Sequence, residues 1–308
     1  ELRRDAVLCE EHNLLNPGNI IEARPIETMT QKLRVEPTPS RPVTVPTSVD
    51  TFFDYSDQHG FDGAVEMCNG AGVCRKKQGG TMCPSYMGTL DERHATRGRG
   101  NALRLAITGQ LSQMQEDSGS ATNSPSSPTA SIWADPGTIQ TLHLCLSCKA
   151  CKTECPSNVD IARLKAEYTA QRYREQGAPL KARILGAVRT LNQLGAIAPA
   201  IANATGDWGP VRAMINAVLG FHPKRSLPRF ARPLDAAWEQ SDQRGDDANK
   251  PKVVLFGDCF VMYNEPGVGL AAKRVFEACG YEVILADAGC CARAKISLGL
   301  LGEAIEEA

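Results

Sequence analysis

The stretch Cys145-Leu146-Ser147-Cys148-Lys149-Ala150-Cys151-Lys152-Thr153-Glu154-Cys155-Pro156 is the most informative part of the sequence. Three cysteines spaced by two residues can bind one face of an iron–sulfur cubane. A fourth cysteine, three residues on and followed by proline, ligates the other cluster in two-cluster ferredoxins. A single zinc ion takes four tetrahedral ligands, usually as two separated pairs, and disulfide frameworks are typical of small secreted scaffolds. The stretch therefore predicts iron–sulfur clusters and electron transfer.

A second group of cysteines lies upstream, in Cys68-Asn69-Gly70-Ala71-Gly72-Val73-Cys74 and in the pair Cys83-Pro84. Compared with the first motif, Ala71 stands at the middle ligand position. The crossed ligand scheme of two-cluster ferredoxins divides the thiolates between two sites. One cluster takes Cys83, Cys145, Cys148 and Cys151, and the other takes Cys68, Cys74 and Cys155.

The second of these sites has three thiolates, which suits a [3Fe-4S] centre, or a [4Fe-4S] centre with a non-cysteine ligand or an open iron. His94 is a candidate for that ligand, with a solvated or capping histidine as the alternative. Free cysteines are often simply buried, so inert packing of Cys68 and Cys74 also stays open. The glycines at 70 and 72 favour a cluster, because they let backbone N–H groups approach its sulfurs.

The pattern changes at Lys252. Two apolar runs, Lys252–Phe256 and Tyr281–Leu285, predict strands, the first of them buried, and Gly267–Ala278 predicts a helix between them. Such a βαβ unit has parallel strands. The stretch Ala294–Ala308 is predicted to be the next crossover helix.

Cysteines follow both predicted strands, Cys259 after the first and the adjacent Cys290 and Cys291 after the second. Ligands bind at the carboxyl ends of parallel strands, so these three thiols are expected to converge at one edge of the sheet, for metal or thiol chemistry. Packing of Cys259 as a small core residue is the alternative. Cys9 and Cys279 are predicted to be packing residues.

These features predict an α+β multidomain fold, in which a helical, two-cluster ferredoxin-like domain is followed by the start of a parallel α/β domain. The expected divisions are a tail of an upstream module at 1–33, a proline-rich linker at 34–50, the cluster domain at 51–178 with a flexible insertion at 116–134, a helical connector and linker at 179–250, and an incomplete α/β domain at 251–308. Three helices are predicted in the cluster domain, Arg97–Gln115, Thr138–Leu144 and one capped by Asp160 that runs to Gln176. Arg97 and Arg99 are expected to offset cluster charge or to open the first of these helices.

The charge balance is nearly even, with 34 basic and 35 acidic residues and a sequence pI near 6.6. This balance argues against nucleic acid as a partner. Residues 180–222 are predicted to be helical and amphipathic, and Lys224, Arg225, Arg229 and Arg232 follow them. That order predicts either contact with a membrane surface or a solvated linker.

Taken together, the motifs resemble the iron–sulfur half of fusion proteins that combine an FAD-linked oxidase with iron–sulfur clusters, the D-lactate, glycolate and D-2-hydroxyglutarate dehydrogenase type. The resemblance rests on four stretches of the sequence. Leu14–Ile20 is similar to the closing segment of the flavin module, and Glu66–Tyr86 and Cys145–Val159 are similar to the two cluster motifs. Asp258–Cys291 is similar to the first half of the cysteine-rich "CCG" domain. Ala292 stands where the CCG motif has glycine, and the later Cys-x-x-Cys of that domain is not present.

The resemblance implies the electron-transfer portion of an FAD-dependent 2-hydroxy-acid dehydrogenase, with FAD and the substrate site in an upstream module of the same polypeptide. Electrons would pass from reduced flavin through two iron–sulfur clusters to a quinone, a cytochrome or an electron-transfer flavoprotein. A cytoplasmic location, or a peripheral one at the inner face of the membrane, is expected. Two alternatives stay open, a free-standing subunit of an anaerobic glycerol-3-phosphate dehydrogenase or heterodisulfide-reductase-like complex, and a redox-sensing or structural zinc protein.

Overall fold

The chain folds into many short helices and one small parallel sheet. The computed structural model describes residues 50–108, 131–241, 250–286 and 288–307. Six helices surround the cysteine motifs, α1 (Phe61–Glu66), α2 (Pro84–Thr89), α3 (Thr96–Ile107), α4 (Pro136–His143), α5 (Ala150–Glu154) and α6 (Ile161–Gln176). The predicted tail at 1–33, with Cys9, lies outside the described residues, as do the linker up to residue 49 and most of the insertion.

The longest helix, α6, begins and ends as the sequence predicts. The Asp160 side chain caps it by accepting a hydrogen bond from the backbone N–H of Arg163, and Gly177 follows its last residue. The carboxylate of the buried Glu167 on α6 accepts hydrogen bonds from the backbone N–H groups of Phe52 and Phe53, each at 3.1 Å. These bonds tie the start of the described chain to α6, because a buried carboxylate needs such donors.

An apolar core lies between these helices, and the cysteine motifs pack against it. A row of aromatic rings runs through it from Tyr55 to Phe61, Trp133 and Tyr168, each ring centroid 5.5 Å from the next. Trp133 belongs to the predicted flexible insertion at 116–134, so the described end of that segment is part of the core. Residues 116–130 of the segment lie outside the described residues, so its flexibility stays a prediction.

Four short helices follow, α7 (Leu180–Gly186), α8 (Val188–Ile197), α9 (Pro199–Asp207) and α10 (Gly209–Leu219). The prediction of a helical region at 180–222 is confirmed. Its breaks coincide with proline in the first turn of α9 and of α10, where the ring cannot continue a preceding helix. Within the described residues, no helix is long and apolar enough to cross a membrane.

The C-terminal part contains the sheet, formed by β1 (Lys252–Leu255) and β2 (Glu282–Leu285), together with the helices α11 (Leu234–Ser241), α12 (Cys259–Tyr263), α13 (Pro266–Ala278), α14 (Arg293–Leu298) and α15 (Leu301–Glu307). The strands are parallel, as predicted, with Val253 opposite Val283. The prediction that β1 is buried was wrong. In a two-stranded sheet both strands are edges, and Val254 on the outer face is exposed.

One further helix prediction needs correction. The stretch 294–308 forms two helices rather than one, because Gly299 takes a left-handed conformation with φ of 79° and ends α14. A Cβ atom at Gly299 would lie 2.6 Å from the side chain of Thr169 on α6, so only glycine fits at this break. The helix pair α14–α15 therefore packs closely against α6.

Candidate iron–sulfur centres

Four cysteine side chains from two distant stretches line one pocket. Three come from the loop at 145–151 and the fourth is Cys83, with Thr96, Arg99 and Ile161 among the other lining residues. The space between the protein atoms there is about 320 Å³, part of it open to solvent. Thiolates are the protein ligands of iron–sulfur clusters, so the donor set of this pocket suits such a cluster.

The loop that precedes Cys83 is attached to the second cysteine motif by Glu154. Its carboxylate accepts from the backbone N–H groups of Thr81 (2.7 Å) and Met82 (3.2 Å) and pairs with the Lys76 ammonium. These hydrogen bonds hold the pKa of Glu154 below its usual value, the Lys76 bond contributing most. Gly80 lies so close that a Cβ atom would be 2.5 Å from a Glu154 oxygen. Glu154 therefore positions Cys83 beside the loop at 145–151.

Cys83 lies at the start of α2, 6% exposed, next to two polar side chains of α3. The Thr96 hydroxyl is 2.9 Å from Cys83 Sγ, and Arg99 Nη1 is 3.9 Å from it. The Arg99 guanidinium also donates to Ser85 Oγ (2.7 Å) and to the Thr141 carbonyl (3.4 Å). The Arg99 guanidinium and the Thr96 hydroxyl therefore lie next to the Cys83 sulfur, where such neighbours orient a ligand.

The loop at 145–151 has an unusual backbone. Ser147 and Lys149 both adopt left-handed conformations, with φ of 52° and 61°. Such a conformation costs a non-glycine residue about 1–2 kcal/mol, and strained residues of this kind cluster at ligand sites. Residues 145–149 thus follow a path that a helix or strand does not allow, before α5 begins at Ala150.

Two further groups fix this loop. The Lys165 ammonium on α6 donates to the Cys145 carbonyl at 2.7 Å, and burial lowers the pKa of Lys165. Burial also raises the pKa of the Cys151 thiol to about 11, while hydrogen bonds from the backbone N–H groups of Ile161 and Ala162 oppose that rise. The first turn of α6 therefore directs N–H groups at the Cys151 sulfur, which favours an anionic ligand.

The first cysteine motif lies beside this pocket. Burial raises the pKa of Cys74, and the neighbouring Cys83 and Cys68 raise it further, so these three thiols lie within electrostatic reach of each other's charge. Cys68 and Cys155 are half-buried against the same core. Gly70 and Gly72 both have positive φ, 80° and 76°, a backbone shape that explains why glycine occupies both positions.

The side chain of His94, the candidate non-cysteine ligand, contacts a threonine and not a cysteine. Its Nδ1 atom is 2.8 Å from the Thr89 hydroxyl. Its backbone carbonyl accepts from Ser85 at 3.1 Å. Both partners belong to α2, so these contacts account for His94 as a local structural residue that joins the turn after α2 to that helix.

Two of the three cysteines predicted to converge at the end of the sheet, Cys259 and Cys290, lie next to each other. The sulfurs of Cys259 and Cys290 are 3.9 Å apart. Burial raises the pKa of Cys259 to about 11, with Cys290 as the second cause and Cys291 as a smaller one. Cys291 is exposed, and so is Cys279, which corrects the prediction that Cys279 packs in a core.

Side chains of α8 border this cysteine pair. Asn192 donates to the Cys259 carbonyl at 3.4 Å, and Arg189 donates to the carbonyls of Gly289 (2.9 Å) and Ala288 (3.3 Å), just before Cys290. Ala292 follows with a φ of 52°, in the left-handed region that favours glycine. The helical connector thus holds both loops that carry these thiols.

Within the described ranges, no group of three or more His, Cys, Asp or Glu side chains is placed to hold one metal ion.

Comparison with known proteins agrees with this donor set. Residues 64–159 match the family model described as a 4Fe-4S dicluster domain, which spans both cysteine motifs. This match supports an iron–sulfur region at residues 64–159. No solved structure matches the chain.

Three similar proteins are dehydrogenases or parts of one. The chain is 25% identical to a D-2-hydroxyglutarate dehydrogenase of Escherichia coli over 92% of its own length and 30% of that protein. A D-2-hydroxyglutarate dehydrogenase of Pseudomonas putida is also 25% identical, over 90% of the chain and 29% of that protein. One subunit of an Escherichia coli anaerobic glycerol-3-phosphate dehydrogenase is 30% identical over half of the chain and 39% of that subunit. The chain spans about 30% of the length of the first of these relatives.

Proposed function

We propose that this chain is the electron-transfer portion of an FAD-dependent 2-hydroxy-acid dehydrogenase. The observation that carries the proposal is the pocket in which Cys83 joins the three cysteines of the loop at 145–151. The similarity to D-2-hydroxyglutarate dehydrogenases, which extends over 92% of the chain, supports the choice of this enzyme class. The substrate is then a 2-hydroxy acid, which binds in the flavin module.

The proposed ligand sets follow the crossed scheme. The thiolates of Cys83, Cys145, Cys148 and Cys151 hold one [4Fe-4S] cluster. Those of Cys68, Cys74 and Cys155 would hold a second cluster, [4Fe-4S] or [3Fe-4S], with Ala71 at the sequence position where the motif has its missing cysteine. When bound, the two clusters supply one-electron transfer.

Other residues of the chain prepare these sites. Thr96 and Arg99 place donors near Cys83, the first turn of α6 places N–H groups near Cys151, and Lys165 holds the Cys145 carbonyl. Such contacts to ligand sulfurs and backbone orient the ligands and favour the more negative charge state of a bound cluster.

FAD is proposed to lie in an upstream module of the same polypeptide, on the resemblance of Leu14–Ile20 to the closing segment of flavin oxidases. Electrons enter from reduced flavin and leave to a quinone, a cytochrome or an electron-transfer flavoprotein. For the C-terminal unit we propose an incomplete CCG-type domain, with Cys259, Cys290 and Cys291 as part of a third metal site. The 3.9 Å approach of two of these sulfurs supports it.

A second candidate is a separate iron–sulfur subunit of an anaerobic glycerol-3-phosphate dehydrogenase. The observation in its favour is the 30% identity to a subunit of such an enzyme over 159 residues. That match covers half of the chain, whereas the match to D-2-hydroxyglutarate dehydrogenase covers 92%. The mass of the native polypeptide separates the two candidates, because a fusion is larger than this chain by the whole flavin module.

Metal analysis tests the proposal against a zinc protein. Anaerobically purified protein is expected to contain iron and acid-labile sulfide in near-equal amounts, and zinc alone would contradict the proposal. Cys83→Ser should remove the electron paramagnetic resonance signal of one cluster and leave the other. Cys279→Ser, an exposed cysteine outside the pocket, is the matched control and should keep both signals. An unchanged spectrum in Cys83→Ser would overturn the crossed ligand set.

A further inference from the structure

The connector between the cysteine-rich core and the sheet has an unusual charge. We define the connector surface as residues 180–232, which comprise α7 to α10 and the segment that follows. Eight of the 34 basic residues of the chain and one of its 35 acidic residues lie there. The connector surface thus has a net charge of about +7, while the remaining 26 basic and 34 acidic residues give the rest of the chain a charge of about −8.

The single acidic residue of this surface is already paired. Asp207 forms an ion pair with Arg229, with 3.0 Å between carboxylate and guanidinium. The other basic side chains therefore present an almost uncompensated positive charge. A partner of opposite charge is needed to complement it.

The helix α8 has an inverted amphipathic arrangement. Its inward face consists of Asn192, Gly195 and Ala196, all of them buried. Gly195 is pressed against Phe230, since a Cβ atom there would lie 2.5 Å from the ring. The large apolar residues Leu194 and Ile197 point outward and are 61% and 79% exposed. A helix of a water-soluble surface normally has the opposite orientation.

The two following helices continue this pattern. Neither α9 nor α10 has a buried residue, and Ile201, Trp208, Met214 and Val218 are exposed there. Each of these helices contacts the previous one, so the three helices that carry these exposed apolar side chains are neighbours in the fold. Exposed apolar side chains of this density mark an interaction site.

We propose that the connector surface binds an anionic phospholipid bilayer, with Leu194, Ile197 and Trp208 entering the interface and the basic residues contacting lipid headgroups. Short helices with outward apolar residues and flanking lysines and arginines lie in the plane of a membrane interface. Tryptophan is enriched at that depth. Exposed leucine and isoleucine contribute nothing to binding a purely polar polyanion such as nucleic acid. This inference adds to the proposed function a location at the membrane surface. It does not depend on cluster binding.

Vesicle sedimentation tests the proposal. The purified protein should sediment with vesicles of equal parts phosphatidylcholine and phosphatidylglycerol and stay in solution with phosphatidylcholine alone. The double variant Lys224→Gln with Arg232→Gln should lower the partition coefficient about 25-fold, since each basic residue near an anionic surface contributes about fivefold. Leu194→Ser with Ile197→Ser should lower it about tenfold or more.

Matched controls come from other exposed residues. Lys77→Gln with Arg274→Gln removes two exposed charges outside the connector surface, and Val268→Ser with Val275→Ser removes two exposed apolar side chains of α13. Both controls should bind like the unchanged protein. Added salt should weaken binding of the unchanged protein, which tests the charge argument even where a variant fails to fold.

Three results would overturn the proposal. Equal binding to neutral and anionic vesicles would remove the role of the basic residues. Binding to heparin without binding to vesicles would assign the surface to a soluble polyanion. A dimer in light scattering that Leu194→Ser with Ile197→Ser dissociates, without vesicle binding, would assign it to a second copy of the chain.

Discussion

Arg99 Nη1 lies 3.9 Å from Cys83 Sγ, and both side chains are buried, with Arg99 2% exposed. The guanidinium reaches this position from α3, while the cysteine stands at the start of α2. If Cys83 binds a cluster as proposed, a buried cation next to its sulfur favours the reduced cluster, because reduction adds negative charge there. From the sequence, Arg99 is expected only to offset cluster charge or to lie at the start of a helix. The structure shows in addition that its guanidinium contacts the Cys83 sulfur.

Replacing Arg99 by methionine should lower the reduction potential of the cluster that Cys83 binds. The expected change is tens of millivolts, since for one electron 59 mV corresponds to about 1.4 kcal/mol. Potentiometric titration followed by electron paramagnetic resonance measures it. Arg97→Met on the same helix is the control, because the Arg97 guanidinium pairs with Glu92 at 3.3 Å instead. An unchanged potential in Arg99→Met would contradict the electrostatic role.

Glu154→Ala should release the loop that carries Cys83, because the backbone N–H groups of Thr81 and Met82 lose their acceptor. The cluster bound by Cys83 should then lose its iron to a chelator faster than in the unchanged protein. Glu154→Gln keeps one side-chain oxygen as an acceptor and should lose iron at an intermediate rate. Glu175→Ala, at an exposed position on α6, should have no effect. Equal rates in Glu154→Ala and Glu175→Ala would show that the loop holds its place without Glu154.

Local signals in the sequence predict much of this fold. Asp160 and Gly177 mark the ends of α6, and the alternation of strand, helix and strand after residue 252 predicts the parallel register of β1 and β2. The convergence of Cys259 and Cys290 follows from that topology, because neighbouring parallel strands end at the same edge. Each of these features depends on a short stretch of chain.

Contacts between distant stretches that no ligand motif links are not predicted by the sequence. Lys76 and Glu154 are 78 residues apart, and no spacing rule links them. The burial of Trp133 in the core is also not predicted, because the sequence around this residue is polar. The sequence also does not predict that the leucines of α8 point outward. Helical periodicity identifies an apolar face, but it does not tell which side of the helix the fold leaves exposed.

Ala292→Gly should raise the free energy of unfolding by about 0.5–1 kcal/mol, since a left-handed backbone costs alanine more than glycine. The φ of Ala292 is 52°, at the residue where the CCG motif has glycine. Urea denaturation measures the change. Ala294→Gly, inside α14, is the control and should lower stability by about 1 kcal/mol, the cost of glycine within a helix. Similar destabilisation by both variants would contradict the strain at Ala292.

Alkylation of the metal-free protein should distinguish Cys259 from the exposed Cys279. The thiolate is the reactive form, and burial, followed by the neighbouring Cys290, raises the pKa of Cys259 to about 11. At pH 8 about one Cys259 thiol in a thousand is then ionised. The rate of its reaction with iodoacetamide should therefore rise about tenfold for each pH unit until the pH approaches that pKa.

The same measurement tests the contact between the two sulfurs. Cys290→Ser removes the second cause of the raised pKa and should speed alkylation of Cys259 at pH 8, while burial keeps the reaction slower than that of Cys279. Mass spectrometry of the digested protein gives the rate at each cysteine. Alkylation of Cys259 as fast as that of Cys279 at pH 8 would show that the loop after β1 opens in the metal-free protein, and that its thiol is not held against Cys290.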